Sequence, residues 1–267
     1  MSLLSRDRYI AVLGANGIGL CRRRGQENHW LGSVGLIGER YVDWSLAVDT
    51  LEHLLSEHAP QGAELSVVLS AHYQRYCLIP WSEQINSPKE LLAYAQACFE
   101  DIYGVSAQPW SVTLSPEAAG SSRIAAALPQ ELLLRLRTMA TQHGLRLRSV
   151  QPYLMTAFNR FQRQLRQGDL LFVVAEPLRS VLLLKRAGQW HAVHSTGCTD
   201  SDEALTALIA RQCELQDNPD APTLSVYLHA PGRLNDLPDL IGVQLSLEAQ
   251  VSAPVRDVLF TMSRAVA

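Results

Sequence analysis

The densest run of residues able to approach a charged ligand is Gly14-Ala15-Asn16-Gly17-Ile18-Gly19. Glycines at this density let a backbone come close to a phosphate. Their order is wrong for a dinucleotide fingerprint, and a strand-like Ile18-Gly19-Leu20-Cys21 follows where that motif needs a helix. The sequence has no G-x-x-x-x-G-K-[ST] loop and no H-E-x-x-H. No G-x-S-x-G elbow frames a serine, which argues against an α/β-hydrolase. His191 and His194 lie on a strand-like run, where a spacing of three points side chains to opposite faces and disfavours a shared metal. The five cysteines (Cys21, Cys77, Cys98, Cys198 and Cys213) are scattered and form no C-x-x-C. They read as small apolar fillers in a reducing compartment, not as a disulfide or zinc framework.

Two groups suit recognition better than catalysis. Arg160, Arg163 and Arg166 recur every three residues, and Arg22-Arg23-Arg24 is a short basic run. Either could meet anionic headgroups or an acidic partner, or serve as a solvated face. The aromatics Tyr73, Tyr76 and Trp81 cluster in sequence and could line a peptide groove or pack in a core.

Composition narrows the function classes. The chain has 267 residues, 47% hydrophobic and 18% charged, with a net charge of −3. The charged share falls below the roughly 25% usual for soluble domains, so a highly charged disordered chain is excluded. The near-neutral balance disfavours bulk nucleic-acid binding. No apolar run nears the roughly 18–20 residues of a membrane span, and no signal-peptide pattern opens the sequence. A cytoplasmic location is expected.

The elements that would position these residues alternate between strands and helices. Tyr9–Leu13 and Ile18–Cys21 form a hairpin around Asn16-Gly17, whose residues tolerate positive φ. Trp30–Ile37 adds a third strand. A helix with Trp44, Val48, Leu51 and Leu55 on one face follows, then a buried strand at Leu65–Leu69. Tyr73–Ile79 reads as a strand. Ser87-Pro88-Lys89-Glu90 opens a helix with a capping box and a proline at its first position, and Gly104 ends it. Strands at Trp110–Leu114 and Arg123–Leu128, a helix from Pro129 to Gly144 and a strand at Leu145–Val150 complete a βαββαβ order over 72–151, the ferredoxin-like unit. Tyr153–Leu165 is helical. Strands at Asp169–Ala175, Arg179–Lys185 and Trp190–Ser195 then repeat the opening pattern. Asp200 caps a helix, Leu224–Leu228 is a buried strand, and Val243–Leu247 is short and strand-like. The order βββαβ thus occurs twice, at 9–70 and 169–229.

A twofold βββαβ repeat with a ferredoxin-like insertion in its first half resembles the actin-like ATPase fold. It looks like the pilus-assembly PilM family and the cytoplasmic region of the secretion GspL family. The stretch Leu65–Ser70 and Arg75–Trp81 resembles that family's junction into its inserted subdomain. The implied fold is α/β, with an actin-like first half at 1–71, a ferredoxin-like insertion at 72–151, a returning helix at 152–168 and a second half at 169–267.

The resemblance implies a cleft where two hairpins, each typically carrying Asp-x-Gly, hold the phosphates of ATP and a magnesium ion. The corresponding positions here are Gly14, Asn16 and Gly17 in the first hairpin, Glu176 in the second, and Gly232 in His229-Ala230-Pro231-Gly232, where the family carries Gly-Gly. No aspartate precedes the first glycines, and Pro177 follows Glu176 where a donating N–H would serve. These glycines can equally serve tight turns.

The expectation is therefore a pseudo-ATPase without catalytic residues or a resident metal. An active ATPase binding ATP and magnesium is the alternative. The resemblance also implies a groove for the short cytoplasmic tail of an inner-membrane assembly protein, with Tyr73, Arg75, Tyr76 and Trp81 as its candidate residues. The leading function is a scaffold of a pilus-biogenesis or type II secretion-like machine at the inner face of a bacterial inner membrane. A homodimer through a free sheet edge is a further partner expectation. Nucleic-acid binding by the inserted sheet is the remaining alternative. It is disfavoured because Arg123–Leu128 lacks the aromatic, glycine-rich strand motif such sheets use.

Overall fold

The computed structural model describes residues 7–25, 27–36, 43–105, 109–197, 201–216, 224–233, 235–238, 240, 242–247 and 257–266. In chain order the elements are β1 (Arg8–Leu13), β2 (Gly17–Arg24), β3 (Glu27–Gly35), α1 (Trp44–His58), β4 (Glu64–Leu69), a 3-10 turn (Ala71–Tyr73), β5 (Arg75–Ile79), α2 (Pro88–Tyr103), β6 (Trp110–Leu114) and β7 (Arg123–Pro129). They continue with α3 (Gln130–Gln142), β8 (Arg146–Pro152), α4 (Tyr153–Phe161), β9 (Leu170–Glu176), β10 (Arg179–Arg186), β11 (Gln189–Gly197), α5 (Asp202–Leu215), β12 (Ser225–His229), β13 (Val243–Gln244) and α6 (Val258–Ser263). No helix among the described residues is long and apolar enough to cross a membrane.

The chain divides into two compact units. The first holds 1–73, 130–160 and 247–267, and the second holds 74–129 and 161–246.

The first unit is built on a sheet of order β3-β2-β1-β4-β8. The central β1 is buried from Tyr9 to Leu13, as a strand covered on both faces must be. Asp43 caps α1 by accepting from Ser45 N and Leu46 N, and Ala47, Val48, Leu51, Leu54 and Leu55 form its buried face. Beside it lies α3, tied by Arg135 to Asp49 at 2.9 Å, and His143, just after α3, lies 3.1 Å from Glu52.

The second unit repeats this plan in the order β11-β10-β9-β12-β13. In both sheets the first two strands pair antiparallel, and the first and fourth pair parallel. Leu205 and Ile209 of α5 pack on Leu171, Val173 and Leu228. The twofold βββαβ repeat expected from sequence is present.

The inserted segment differs from the expected βαββαβ. Only β5, α2, β6 and β7 form it, as a three-stranded antiparallel sheet of order β5-β7-β6 with β6 at an edge. The last two elements go elsewhere: β8 pairs parallel with β4, from Glu64 against Arg146 to Leu69 against Pro152. Ferredoxin-like order and this arrangement share the same sequence of elements. The strand partner of β8 is what separates them. Phe99 and Ala95 of α2 pack on Cys77, Ile79, Ala125 and Ala127, which share one face of the small sheet. The insert lies against β11 within the second unit, and the Trp190 indole donates to Glu117 at 2.8 Å.

Several local expectations also shift. Neither Asn16 nor Gly17 adopts positive φ, so the first hairpin is not the predicted turn. Residues 71–73 form a 3-10 turn, and the next strand begins at Arg75. Ser201 caps α5 by accepting from Ala204 N, while Asp200 lies outside the described residues. Helix α4 ends at Phe161, so Arg163 and Arg166 fall beyond it and no helical arginine stripe forms. A register shift at Leu184/Lys185 leaves His191 between the pairs made by Trp190 and Ala192. Both His191 and His194 are exposed.

Candidate functional site

The first hairpin owes its glycines to packing. A Cβ on Gly14 would overlap Leu259 Cδ2 of α6. One on Gly17 would stand 2.9 Å from the Val34 carbonyl oxygen, and one on Gly19 would overlap Trp30 Cη2 and stand 2.9 Å from Leu259 Cβ. None of the three has left-handed φ. Helix α6 is held there by its Asp257 cap, which accepts from Leu259 N and from Ser33 Oγ, and by Phe260 edge-on to Trp30 at 5.4 Å. Tyr73 belongs to this unit, is buried, and donates from its hydroxyl to the Gly14 carbonyl at 3.2 Å. Asn16 is exposed at the hairpin tip.

The second hairpin turns through Pro177 and Leu178, with Leu178 at φ 62°. Glu176 is buried at the end of β9. Its charge acts on Tyr76 and Arg179, and the insert contributes the rest of the cluster. Burial, followed by the Glu176 charge, holds the Tyr76 hydroxyl well above the usual phenol range, so it stays protonated. Burial and the neighbouring Arg75 lower Arg179, while Glu176 opposes them. Arg75 lies over the Tyr103 ring at 5.9 Å, and Tyr103 donates to the Tyr76 carbonyl at 2.8 Å. Arg179 reaches Ser195 Oγ at 3.2 Å.

Gly232 sits exposed in a turn closed by Arg233 N donating to Ala230 O. His229, just before it, is buried against Phe161. Its Nδ1 lies 2.9 Å from the Leu245 carbonyl, which can only accept, so Nδ1 carries the proton.

The four expected partner-binding residues therefore have different settings. Tyr73 and Tyr76 are buried, and Arg75 is half-buried. Trp81 is 41% exposed and forms one wall of an open groove of about 230 Å³ on the insert.

Secondary structure explains this groove. Strand β5 ends at Ile79, so Pro80 and Trp81 leave the sheet at that end. Ile79 pairs with Arg123, the first residue of β7, which returns the chain to the same end. Strand alternation puts Arg123 on the face shared by Ile79, Cys77 and Ala125, the face that α2 covers. Ser87 caps α2 by accepting from Glu90 N, and Glu90 accepts from Asn86 N at 2.8 Å, which brings Pro88 and Leu91 back to Trp81. Pro80, Trp81, Ile85, Pro88 and Leu91 supply the apolar lining. Arg123 is the one charged residue of the lining and donates to the Ser115 carbonyl at 3.1 Å. The capping box was legible in sequence. Arg123 was not, because only the β5–β7 register brings it to Trp81.

The groove is smaller than the roughly 300–1,000 Å³ of small-molecule and cofactor sites. Its volume is of the order of a single side chain. Among the described residues, no group of three or more His, Cys, Asp or Glu is placed to hold a metal ion.

No protein-family profile and no curated protein sequence matches the chain. Solved structures do match by shape. A Bacteroides thetaiotaomicron protein with actin-like ATPase fold and unknown function is 13% identical, with a TM-score of 0.58 over 88% of this chain and 87% of its own. A PilM–PilN type IV pilus biogenesis complex contains a chain 16% identical, with a TM-score of 0.55 over 84% of this chain and 81% of its own. The cytoplasmic domain of EpsL, an inner-membrane component of the Vibrio cholerae type II secretion system, is 10% identical, with a TM-score of 0.55 over 97% of this chain and 94% of its own. The chain has an actin-like ATPase fold, with two mixed five-stranded sheets and a small antiparallel sheet.

Proposed function

We propose that this chain is a scaffold of a pilus-biogenesis or type II secretion-like machine. It works at the inner face of a bacterial inner membrane and captures a short cytoplasmic peptide of an inner-membrane partner. The observation that carries this reading is the Trp81 groove, an apolar notch of single-side-chain size beside the N-terminus of α2. Such notches anchor peptides by one buried residue. The similarity in fold to a PilM–PilN complex and to the cytoplasmic domain of an inner-membrane secretion component supports the same kind of partner.

On this reading the actin-like frame serves recognition, and no chemical step is required of it. The first hairpin carries no acidic residue, Leu259 packs on its glycines, and Glu176 acts within a cluster of arginine and tyrosine side chains. The scaffold passes the position of the membrane partner to other components.

The test starts with the genes beside this one, where a bitopic membrane protein and a pilin-like protein are expected. The labelled cytoplasmic tail of that membrane protein should bind the purified chain in fluorescence anisotropy and lose binding with Trp81→Ala. A tail that does not bind, or that binds Trp81→Ala equally well, rules the reading out.

A further inference from the structure

The groove has a charge preference that its apolar lining alone does not reveal. Arg123 is half-buried, and its Nη1 donates to the Ser115 carbonyl, which fixes the guanidinium at the groove's edge. A guanidinium has five N–H donors, and this bond uses one of them. No carboxylate lines the groove. Glu83, in the loop after Trp81, is exposed and outside the lining, and Glu90 of α2 is turned to the Asn86 N–H. The N-terminus of α2, a 16-residue helix, adds positive potential on the same side.

We propose that the groove recognises a peptide in which an apolar anchor residue has an aspartate or glutamate within two positions of it. Trp81, Pro88 and Leu91 hold the anchor, and Arg123 holds the carboxylate. This rests on the reading of the groove as a peptide site and adds the chemistry of its occupant. Charge complementarity selects the occupant: a basic or neutral tail would leave the Arg123 charge uncompensated at a partly desolvated position. The volume argues for a single anchor, so the acidic neighbour supplies the specificity.

A random-peptide phage library selected against the full chain tests this. Enriched peptides should carry Asp or Glu within two positions of an apolar residue. Replacing that acid by its amide in the synthetic peptide should weaken binding by about tenfold, as for a charge-assisted hydrogen bond. Arg123→Gln should bind acid and amide peptides alike, and Arg123→Lys should retain a preference for the acid. Because Arg123 also braces Ser115, an unchanged melting temperature of each variant shows that the insert is intact. If Arg123→Gln unfolds the insert, the acid-to-amide comparison on the wild-type chain decides alone. Enrichment without acidic bias, or an acid preference surviving Arg123→Gln, overturns the proposal while leaving the peptide site standing. Full displacement of the peptide by millimolar inorganic phosphate also overturns it, since the site would then be a simple anion site. No enrichment at all, or equal binding by Trp81→Ala, instead sinks the peptide reading itself.

Discussion

Leu259 occupies the space that a side chain on Gly14 would need. One residue comes from the C-terminal helix and the other from the first hairpin, and their contact explains a glycine that backbone conformation does not. Gly19 is limited by the Trp30 ring and by the Cβ of the same helix residue, while Gly17 is limited by the Val34 carbonyl.

These contacts predict different responses to alanine. Gly14→Ala meets only the flexible end of Leu259 and the more distant Gly17 carbonyl, at 3.2 Å. It should cost about 1–3 kcal/mol, the range for overpacking, and most of that should vanish in a Leu259→Ala background. Gly17→Ala and Gly19→Ala should remain destabilising in that background, because the Val34 carbonyl, and for Gly19 the Trp30 ring and the Cβ of residue 259, are still present. Urea unfolding of the single and double variants measures this. Equal rescue at all three positions would contradict it.

Leu178 stands at φ 62° and is 58% exposed at the second hairpin. A branched side chain in this region costs roughly 1–2 kcal/mol, and asparagine tolerates it better. Leu178→Asn should therefore stabilise the chain by up to about 1 kcal/mol, seen as a higher melting temperature. A lower one would mean that the Leu178 side chain makes contacts that outweigh the backbone strain.

His229 should make stability depend on pH. Burial lowers its pKa to about 4, and the bond to the Leu245 carbonyl only opposes this. In the unfolded chain the imidazole titrates near 6.5. Between these values the unfolded state binds a proton that the folded state does not, so stability falls as pH drops. The loss should begin near pH 6.5 and level off below about 4, reaching about 3 kcal/mol. His229→Gln should flatten that part of the profile relative to the parent in urea titrations at stepped pH. An identical slope in the variant would show that His229 does not carry it.

Nucleotide binding is the fourth measurable point. Calorimetric titration with ATP and magnesium should give no saturable heat at millimolar concentrations. The first hairpin has no carboxylate, Pro177 has no N–H to donate, and Leu259 packs on the hairpin glycines. A saturable isotherm lost on Glu176→Gln would establish nucleotide binding in this cleft and leave turnover to be measured.

The repeat was legible because apolar periodicity is a local property. Leu170–Ala175 reads as a buried strand whatever surrounds it, and Ser87-Pro88-Lys89-Glu90 caps a helix through contacts within four residues. Trp81 was legible as an aromatic near the insert. Its neighbour Tyr76 has the same sequence signature, yet it is 2% exposed, because alternation along β5 turns it away from the α2 face and burial does not follow from residue type.

The sequence by itself determined the order of elements, the duplication, the capped start of α2 and the absence of an acid from the first hairpin. Each depends on neighbours in the chain. Only the tertiary structure decided that β8 joins β4 and leaves the insert, that Leu259 accounts for Gly14, and that Arg123 stands beside Trp81. Those pairs are separated by tens to hundreds of residues. Their contacts depend on strand register and helix docking, which are fixed by burying apolar surface across the whole unit and leave no periodic trace in the chain.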